Sequence, residues 1–185
     1  MTVMPIVIIL AGGRGARFLA SGGYGSKLQA PLAGKTVLQH TLDAVKASGL
    51  PWHLEDGGRP GMGDSIAAAV RATWSAASRF GAERGGWLIL PADLPLIRAG
   101  ILRAVATALL DHEVVVPIYH GQRGHPVGFS ARCGQALLDL GGDHGAAPVI
   151  QAYAAMEIVV NDVGCVTDID TIDDLKVVEQ LMNGA

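Results

Sequence analysis

A chain of 185 residues, half of them apolar, is long enough to bury a single core and too apolar to stay disordered. Only 17% of the residues are charged and the net charge is -3, which excludes a general nucleic-acid surface; any polyanion must be held locally. The expectation is therefore one domain over residues 1–185 that handles small molecules, with no nucleic-acid partner.

The first element is an apolar strand, Ile6–Ala11. It is far shorter than the roughly 20 residues of a membrane span, and no basic segment with a cleavage site precedes it. A soluble, cytoplasmic protein without a membrane partner is expected. The strand runs into Ala11-Gly12-Gly13-Arg14-Gly15-Ala16-Arg17, and Lys27 follows a second glycine-rich stretch, Ser21–Ser26. Small residues let backbone N–H groups approach a bulky anion, and two arginines and a lysine neutralise it, so a triphosphate fits such a loop. The competing reading is a flexible loop with ordinary surface cations. A dinucleotide fingerprint fails because Phe18 stands where the third glycine is required. Gly34-Lys35-Thr36 mimics the end of a P-loop, but Gln29 holds the place of its first glycine, which leaves Thr36 or its neighbour to open a helix.

That helix carries the apolar stripe Val37, Leu38, Thr41, Leu42 and Val45. After a polar, glycine-rich run, Glu55–Gly63, a second stripe follows at Ile66, Ala69, Val70, Thr73 and Trp74. Gly61-Met62-Gly63-Asp64-Ser65 precedes it and offers free first-turn N–H groups to an anion, making Gly63 and Ser65 binding candidates, unless Asp64 or Ser65 caps the helix. Strands are expected at Trp87–Leu90, Val114–Ile118 and Ile158–Asp162. Helices are expected through Ile101, Leu102, Val105, Leu109 and Leu110, and through Ile172, Leu175, Val178, Leu181 and Met182. Buried strands alternating with amphipathic helices predict a three-layer α/β/α fold on a mainly parallel, Rossmann-like sheet, with ligands beyond the carboxyl ends of its strands.

Leu90-Pro91-Ala92-Asp93-Leu94-Pro95 places a carboxylate between two prolines at such a strand end. It suits Mg²⁺, which takes one or two carboxylates plus phosphate oxygens and water; a turn or cap aspartate is the alternative, with Pro95 starting the next helix. Asp168 or Asp170 supplies a second carboxylate, and one of them is expected to cap the last helix. His125 and Asp143 sit in turn-like glycine segments, and a lone histidine is no general base by itself. Cys133 and Cys165 lie far apart without a second metal-type pair, which argues against zinc and for a reducing compartment.

Together these segments resemble the MobA-like NTP transferases, nucleotidyltransferases that attach a nucleoside monophosphate to molybdopterin. The likeness rests on Leu10-Ala11-Gly12-Gly13 with Arg14, Arg17 and Lys27, and on Pro31–Lys35, Gly61–Ser65, Pro91–Pro95, Gly124–Val127, Gly142–Gly145 and Asp168–Leu175. The resemblance implies a nucleotidyltransferase fold in which Leu10, Ala11, Gly12 and Gly13 frame the base and ribose. Arg14 then holds the outer phosphates, Lys27 the α-phosphate and Asp93 the Mg²⁺, with Asp168 and Asp170 as late metal-site acids. The segments around Ser65, His125 and Asp143 match the acceptor side. It further implies CTP or GTP as donor, molybdopterin as phosphorylated acceptor, and a cofactor-accepting enzyme as partner. Leu-Ala-Gly-Gly resembles the guanylyl branch, whereas Gly-His-Pro-Val and Gly-Asp-x-Gly resemble the cytidylyl branch. Two departures stand out: the Phe18–Ser26 loop is longer, and the usual helix and strand between Leu54 and Gly61 are missing. A binding module that has lost turnover, or a transferase acting on a sugar phosphate, fits the same first loop and Asp93.

Overall fold

The computed structural model describes residues 3–13, 15–74 and 85–184. In chain order the strands are β1 (Ile6–Leu10), β2 (Pro31–Leu32), β3 (Lys35–Thr36), β4 (Trp52–Glu55), β5 (Trp87–Pro91), β6 (Val114–Tyr119), β7 (Gln122–Arg123), β8 (Val127–Phe129) and β9 (Ala155–Val159). The helices are α1 (Ala16–Ala20), α2 (Val37–Ser48), α3 (Met62–Thr73), α4 (Ala99–Ala108), α5 (Gly134–Leu138), α6 (Ala147–Ala152) and α7 (Ile172–Asn183). Seven strands form one sheet in the order β4-β1-β5-β8-β6-β7, with β9 also paired to β6, while β2 and β3 make a separate ribbon. β4, β1 and β5 are parallel neighbours, as are β6 and β9; β7 and β8 run against them.

Alternation along the central strands builds two cores. Val7, Ile9, Leu88, Leu90 and Val115 face α2, α4 and α7 through Val37, Val45, Leu102, Val105 and Val178. Ile8, Trp87, Ile89, Val114 and Val116 face α3, α5 and α6 through Ile66, Val70, Leu137 and Val149. These strands are buried on both faces, so they read as continuous apolar runs and the sheet becomes the middle of three layers. Among the described residues no helix is long and apolar enough to cross a membrane.

Several boundaries depart from the sequence reading. β9 lies three residues earlier than Ile158–Asp162, because its register with β6 runs from Val114↔Ala155 to Ile118↔Val159. It flanks the sheet at β6 and is largely exposed, so it lacks the unbroken apolar signal of a central strand. Among the described residues β4 pairs only with β1, and its His53 and Glu55 obscure it in the sequence. α4 ends at Ala108, leaving Leu110 about half exposed, and Leu181 on α7 also faces outward. Pro95 sits in a turn, and α4 opens instead at Arg98. Trp74 leaves α3 in an extended conformation and stacks on Trp87 at 5.3 Å.

The helix starts explain how the acids stay available. Thr36 and Gln39 close a reciprocal cap on α2, as the sequence suggests. At α7 the cap is Thr171, not Asp168 or Asp170, and its partner is Asp174. Burial works against the Asp174 charge, yet hydrogen bonds from Thr171 and the Asp170 N–H hold its carboxyl below the usual range. Both earlier aspartates are thereby released from capping.

Cys133 and Cys165 are free and buried. Burial pushes the Cys133 thiol up to about 11, and its Sγ donates to the Glu113 carbonyl at 3.4 Å. Iodoacetamide at about pH 8 should therefore leave Cys133 unlabelled in the native protein and label it after denaturation, as read by mass spectrometry, because reactivity needs an accessible thiolate.

Candidate active site

The chain order β1, β4, β5 places β4 on one side of β1 and β5 on the other, so connections diverge at β1. In an open α/β sheet such a divergence opens a crevice beyond the strands' carboxyl ends. Leu10 pairs with Pro91 in the last register position of β1 and β5, and the Ala92 N–H donates to the Leu10 carbonyl at 3.0 Å. The glycine loop and Asp93 thus leave the sheet side by side. The buried Thr41 hydroxyl on α2 donates to the Ala92 carbonyl at 2.9 Å and pins the Asp93 turn from below. A cleft of about 720 Å³ lies above this junction.

A second backbone contact brings in the late acids. The Ile169 N–H donates to the Asp93 carbonyl at 3.0 Å, and the Ile169 side chain is fully buried. Asp168 and Asp170, on either side of that anchor, both line the cleft. One carboxylate oxygen from each of Asp93, Asp168 and Asp170 lies within 4.8 Å of the others.

Lys27 sits among them. It opens a short 3₁₀ turn, Lys27–Gln29, anchored by buried Leu28. Its ammonium donates to Asp93 Oδ2 at 2.6 Å and to Asp170 Oδ1 at 2.9 Å. Burial alone would lower the Lys27 pKa; the two carboxylates more than reverse it and hold it above the ordinary lysine value. Arg17 pairs with Asp170 Oδ2 from a largely exposed position. The Asp168 carboxyl moves the other way from Asp174: burial, then the Asp93 charge, raises its pKa. Asp93 Oδ1 is buried and has no hydrogen-bond partner among the described residues. An orphaned carboxylate oxygen inside a three-acid group fits a hard divalent cation, which takes oxygen ligands.

The long loop before Lys27 is folded down. Gly23 donates its N–H to the Phe18 carbonyl at 2.9 Å, and a Cβ at Gly23 would come within 2.3 Å of the Phe18 ring. Ser21 accepts from the Ile172 N–H at 3.0 Å, tying this loop to the start of α7 beside Asp170.

Most of the candidates from the sequence meet in this cleft: Leu10, Gly12, Gly13, Arg17, Lys27, Ser65, Asp93, Asp168 and Asp170 line it, as do His125 and Asp143. Ala11 and Gly63 do not. The Ala11 N–H is spent on the Glu55 carbonyl at 2.8 Å, and that of Gly63 on the Gly142 carbonyl at the same distance. Arg14 lies outside the described residues. Neither Asp64 nor Ser65 caps α3: Asp64 accepts from the Gly142 N–H at 3.0 Å, and the Ser65 hydroxyl donates to the Gly61 carbonyl at 3.1 Å. The two glycine segments touch backbone to backbone, since a Cβ at Gly61 or Gly63 would come within 2.4 or 2.8 Å of Gly142 or Gly141. Gly63→Ala is expected to cost about 1–3 kcal/mol in a urea melt, because the opposing backbone must shift to admit the methyl group.

The structure adds Arg59, Gln122 and Arg123 to the cleft. Arg59 is steadied by the buried Glu55 carboxylate at 3.4 Å and Arg123 by Glu157 at 2.9 Å. Arg59 follows Gly57-Gly58 at the carboxyl end of β4, a signal legible only once β4 is recognised. His125 is mostly buried, its Nδ1 without a hydrogen-bond partner among the described residues; burial lowers its pKa against the opposing pull of Asp93 and the Ile89 carbonyl.

A glycine loop, a lysine and three acids at the switch point of a mainly parallel sheet define the class: an α/β protein whose acidic oxygens could hold a divalent cation beside a glycine-rich loop. A family model described as the MobA-like NTP transferase domain matches residues 7–54 and 43–157. The chain belongs to that family and is a nucleotidyltransferase with a nucleotide substrate. No curated protein matches the sequence. Among solved structures, Rv0371c from Mycobacterium tuberculosis aligns with TM-score 0.78 at 21% identity, covering 97% of this chain and 99% of that one. Its manganese complex aligns with TM-score 0.71 at 23% identity, covering 97% and 100%. Molybdopterin-guanine dinucleotide biosynthesis protein A from Archaeoglobus fulgidus gives TM-score 0.66 at 17% identity, covering 97% and 100%. The 2-C-methyl-D-erythritol 4-phosphate cytidylyltransferase from Thermus thermophilus gives TM-score 0.66 at 19% identity, covering 99% and 100%. These likenesses show the fold.

Proposed function

We propose that the protein moves CMP or GMP from its triphosphate to a phosphorylated acceptor, with molybdopterin the first candidate, and releases pyrophosphate in a Mg²⁺-dependent reaction. The observation that carries this reading is the convergence of Lys27, Asp93, Asp168 and Asp170 beside the Leu10–Gly13 loop. An acceptor phosphate oxygen attacks the α-phosphorus in line, the bond to the bridging oxygen breaks, and pyrophosphate leaves. Lys27 orients the α-phosphate and Arg14 and Arg17 the outer phosphates, while Gly12 and Gly13 let the nucleotide approach the backbone. Asp93, Asp168 and Asp170 would hold the divalent cation, which supplies charge neutralisation on the phosphate oxygens. A phosphate nucleophile is already ionised, so no base is required, and neutral His125 is left to shape the acceptor wall.

A second acceptor class is favoured by a specific observation: the fold matches the erythritol-phosphate cytidylyltransferase as well as it matches the molybdopterin-guanine dinucleotide protein. A polyol or sugar phosphate is therefore the runner-up. The deciding assay incubates the protein and Mg²⁺ with each of four nucleoside triphosphates and either molybdopterin or 2-C-methyl-D-erythritol 4-phosphate, and measures pyrophosphate. Release with CTP or GTP and molybdopterin is the expected result. No release with any pair would sink the transferase reading for these acceptors, whereas release only with the polyol phosphate reassigns the acceptor.

A further inference from the structure

We propose that Lys27 is the resident counterion of the acidic cluster and competes with the divalent cation for it, so that cation and nucleotide load as a coupled pair. The inference rests on the reading above, in which Asp93, Asp168 and Asp170 hold the cation. The Lys27 ammonium lies 2.6 Å from Asp93 Oδ2 and 2.9 Å from Asp170 Oδ1, bridging two of the three acids that a cation would need. Arg17 occupies the remaining oxygen of Asp170. Two side-chain cations thus already offset most of the charge of three carboxylates, and both Lys27 and Asp93 are largely shielded from water. A divalent ion drawn to the same oxygens meets like charge.

Lys27 cannot serve two places at once. The side chain that closes the acids in the free protein is the one proposed to hold the α-phosphate, and a phosphate is an alternative partner for its ammonium. Nucleotide arrival therefore frees Asp93 and Asp170 as it engages Lys27. Asp93 Oδ1, buried and without a partner among the described residues, is not neutralised by Lys27 contact while Oδ2 is held. Linkage makes the effect reciprocal: whatever nucleotide adds to cation affinity, cation adds to nucleotide affinity.

The test uses Mn²⁺ alone, without nucleotide. In calorimetry Lys27→Met should bind Mn²⁺ roughly tenfold or more tightly than the unmodified protein, a coupling within the ordinary range. Lys27→Arg, which keeps the charge, should remain weak. Independently, acetic anhydride labelling of Lys27 in the unmodified protein, read by mass spectrometry, should rise when Mn²⁺ is added, because the amine is displaced from its carboxylates. Equal or weaker Mn²⁺ binding by a folded Lys27→Met variant overturns the inference. So does Lys27 labelling that Mn²⁺ leaves unchanged, which decides the matter if that variant does not fold. Nucleotide transfer together with a flat Mn²⁺ result removes only this inference; no transfer together with the expected Mn²⁺ result removes only the transferase reading.

Discussion

Asp93→Asn should lower kcat for nucleotidyl transfer on the order of 10²–10³-fold while the protein remains folded. The amide preserves the shape of the turn, whose position is set by backbone bonds from Ala92 to Leu10 and from Ile169 to Asp93 and by the Thr41 hydroxyl. What is lost is charge at the oxygen that faces Lys27 and at the orphaned Oδ1. Lys27 keeps its second partner, Asp170, and an amide oxygen can still accept from it, so the stability cost should stay within the roughly 1.5–3 kcal/mol of one hydrogen bond made to a charged group. Steady-state kinetics and a thermal melt on the same preparation check both halves. A variant with near-normal turnover would remove Asp93 from the cation site.

Lys27→Met should also abolish most transfer, again by roughly 10²–10³-fold, and for a different reason: it removes the positive group facing the reacting phosphate. Its stability signature differs as well. Without the ammonium, Asp93, Asp168 and Asp170 face one another, and among the described residues the exposed Arg17 is the cation left paired with the cluster. In chelator the variant should lose about 2 kcal/mol, less than the roughly 3–5 kcal/mol typical of breaking a fully buried pair, because this cluster is partly open to water. Mn²⁺ should restore the loss. The Lys27 pKa is raised above 10.5, so its stabilisation is complete at neutral pH and is lost only as pH rises through that elevated value. Melts near pH 7 therefore compare fully charged states.

The central strands and four long helices were legible in the sequence because each is regular and well buried. β1 and β5 read as unbroken apolar runs, and α2, α3, α4 and α7 show helical stripes. The peripheral strands β4 and β9, and the short antiparallel β7 and β8, carried little pattern, since exposure or brevity removes periodicity. In the site, Asp93, Lys27 and the glycine loop could be found from residue type and order alone. Arg59 and Arg123 could not, because their relevance depends on which strand ends border the cleft.

From its residues alone this chain declared a glycine-rich loop with interleaved cations followed by a lysine, an aspartate at the end of a buried strand, and a late aspartate pair; glycine freedom, charge and apolar runs are local properties written in consecutive residues. Only the tertiary structure decided that Thr171 rather than either late aspartate caps α7, that Ile169 anchors to the Asp93 carbonyl, and that Lys27 lies between Asp93 and Asp170. The two Lys27 contacts join residues 66 and 143 positions apart, and no local pattern fixes a distance across the sheet. Packing of the long loop onto Phe18 and of Ile169 into the core does so, by giving the ammonium and the carboxylates one place to meet.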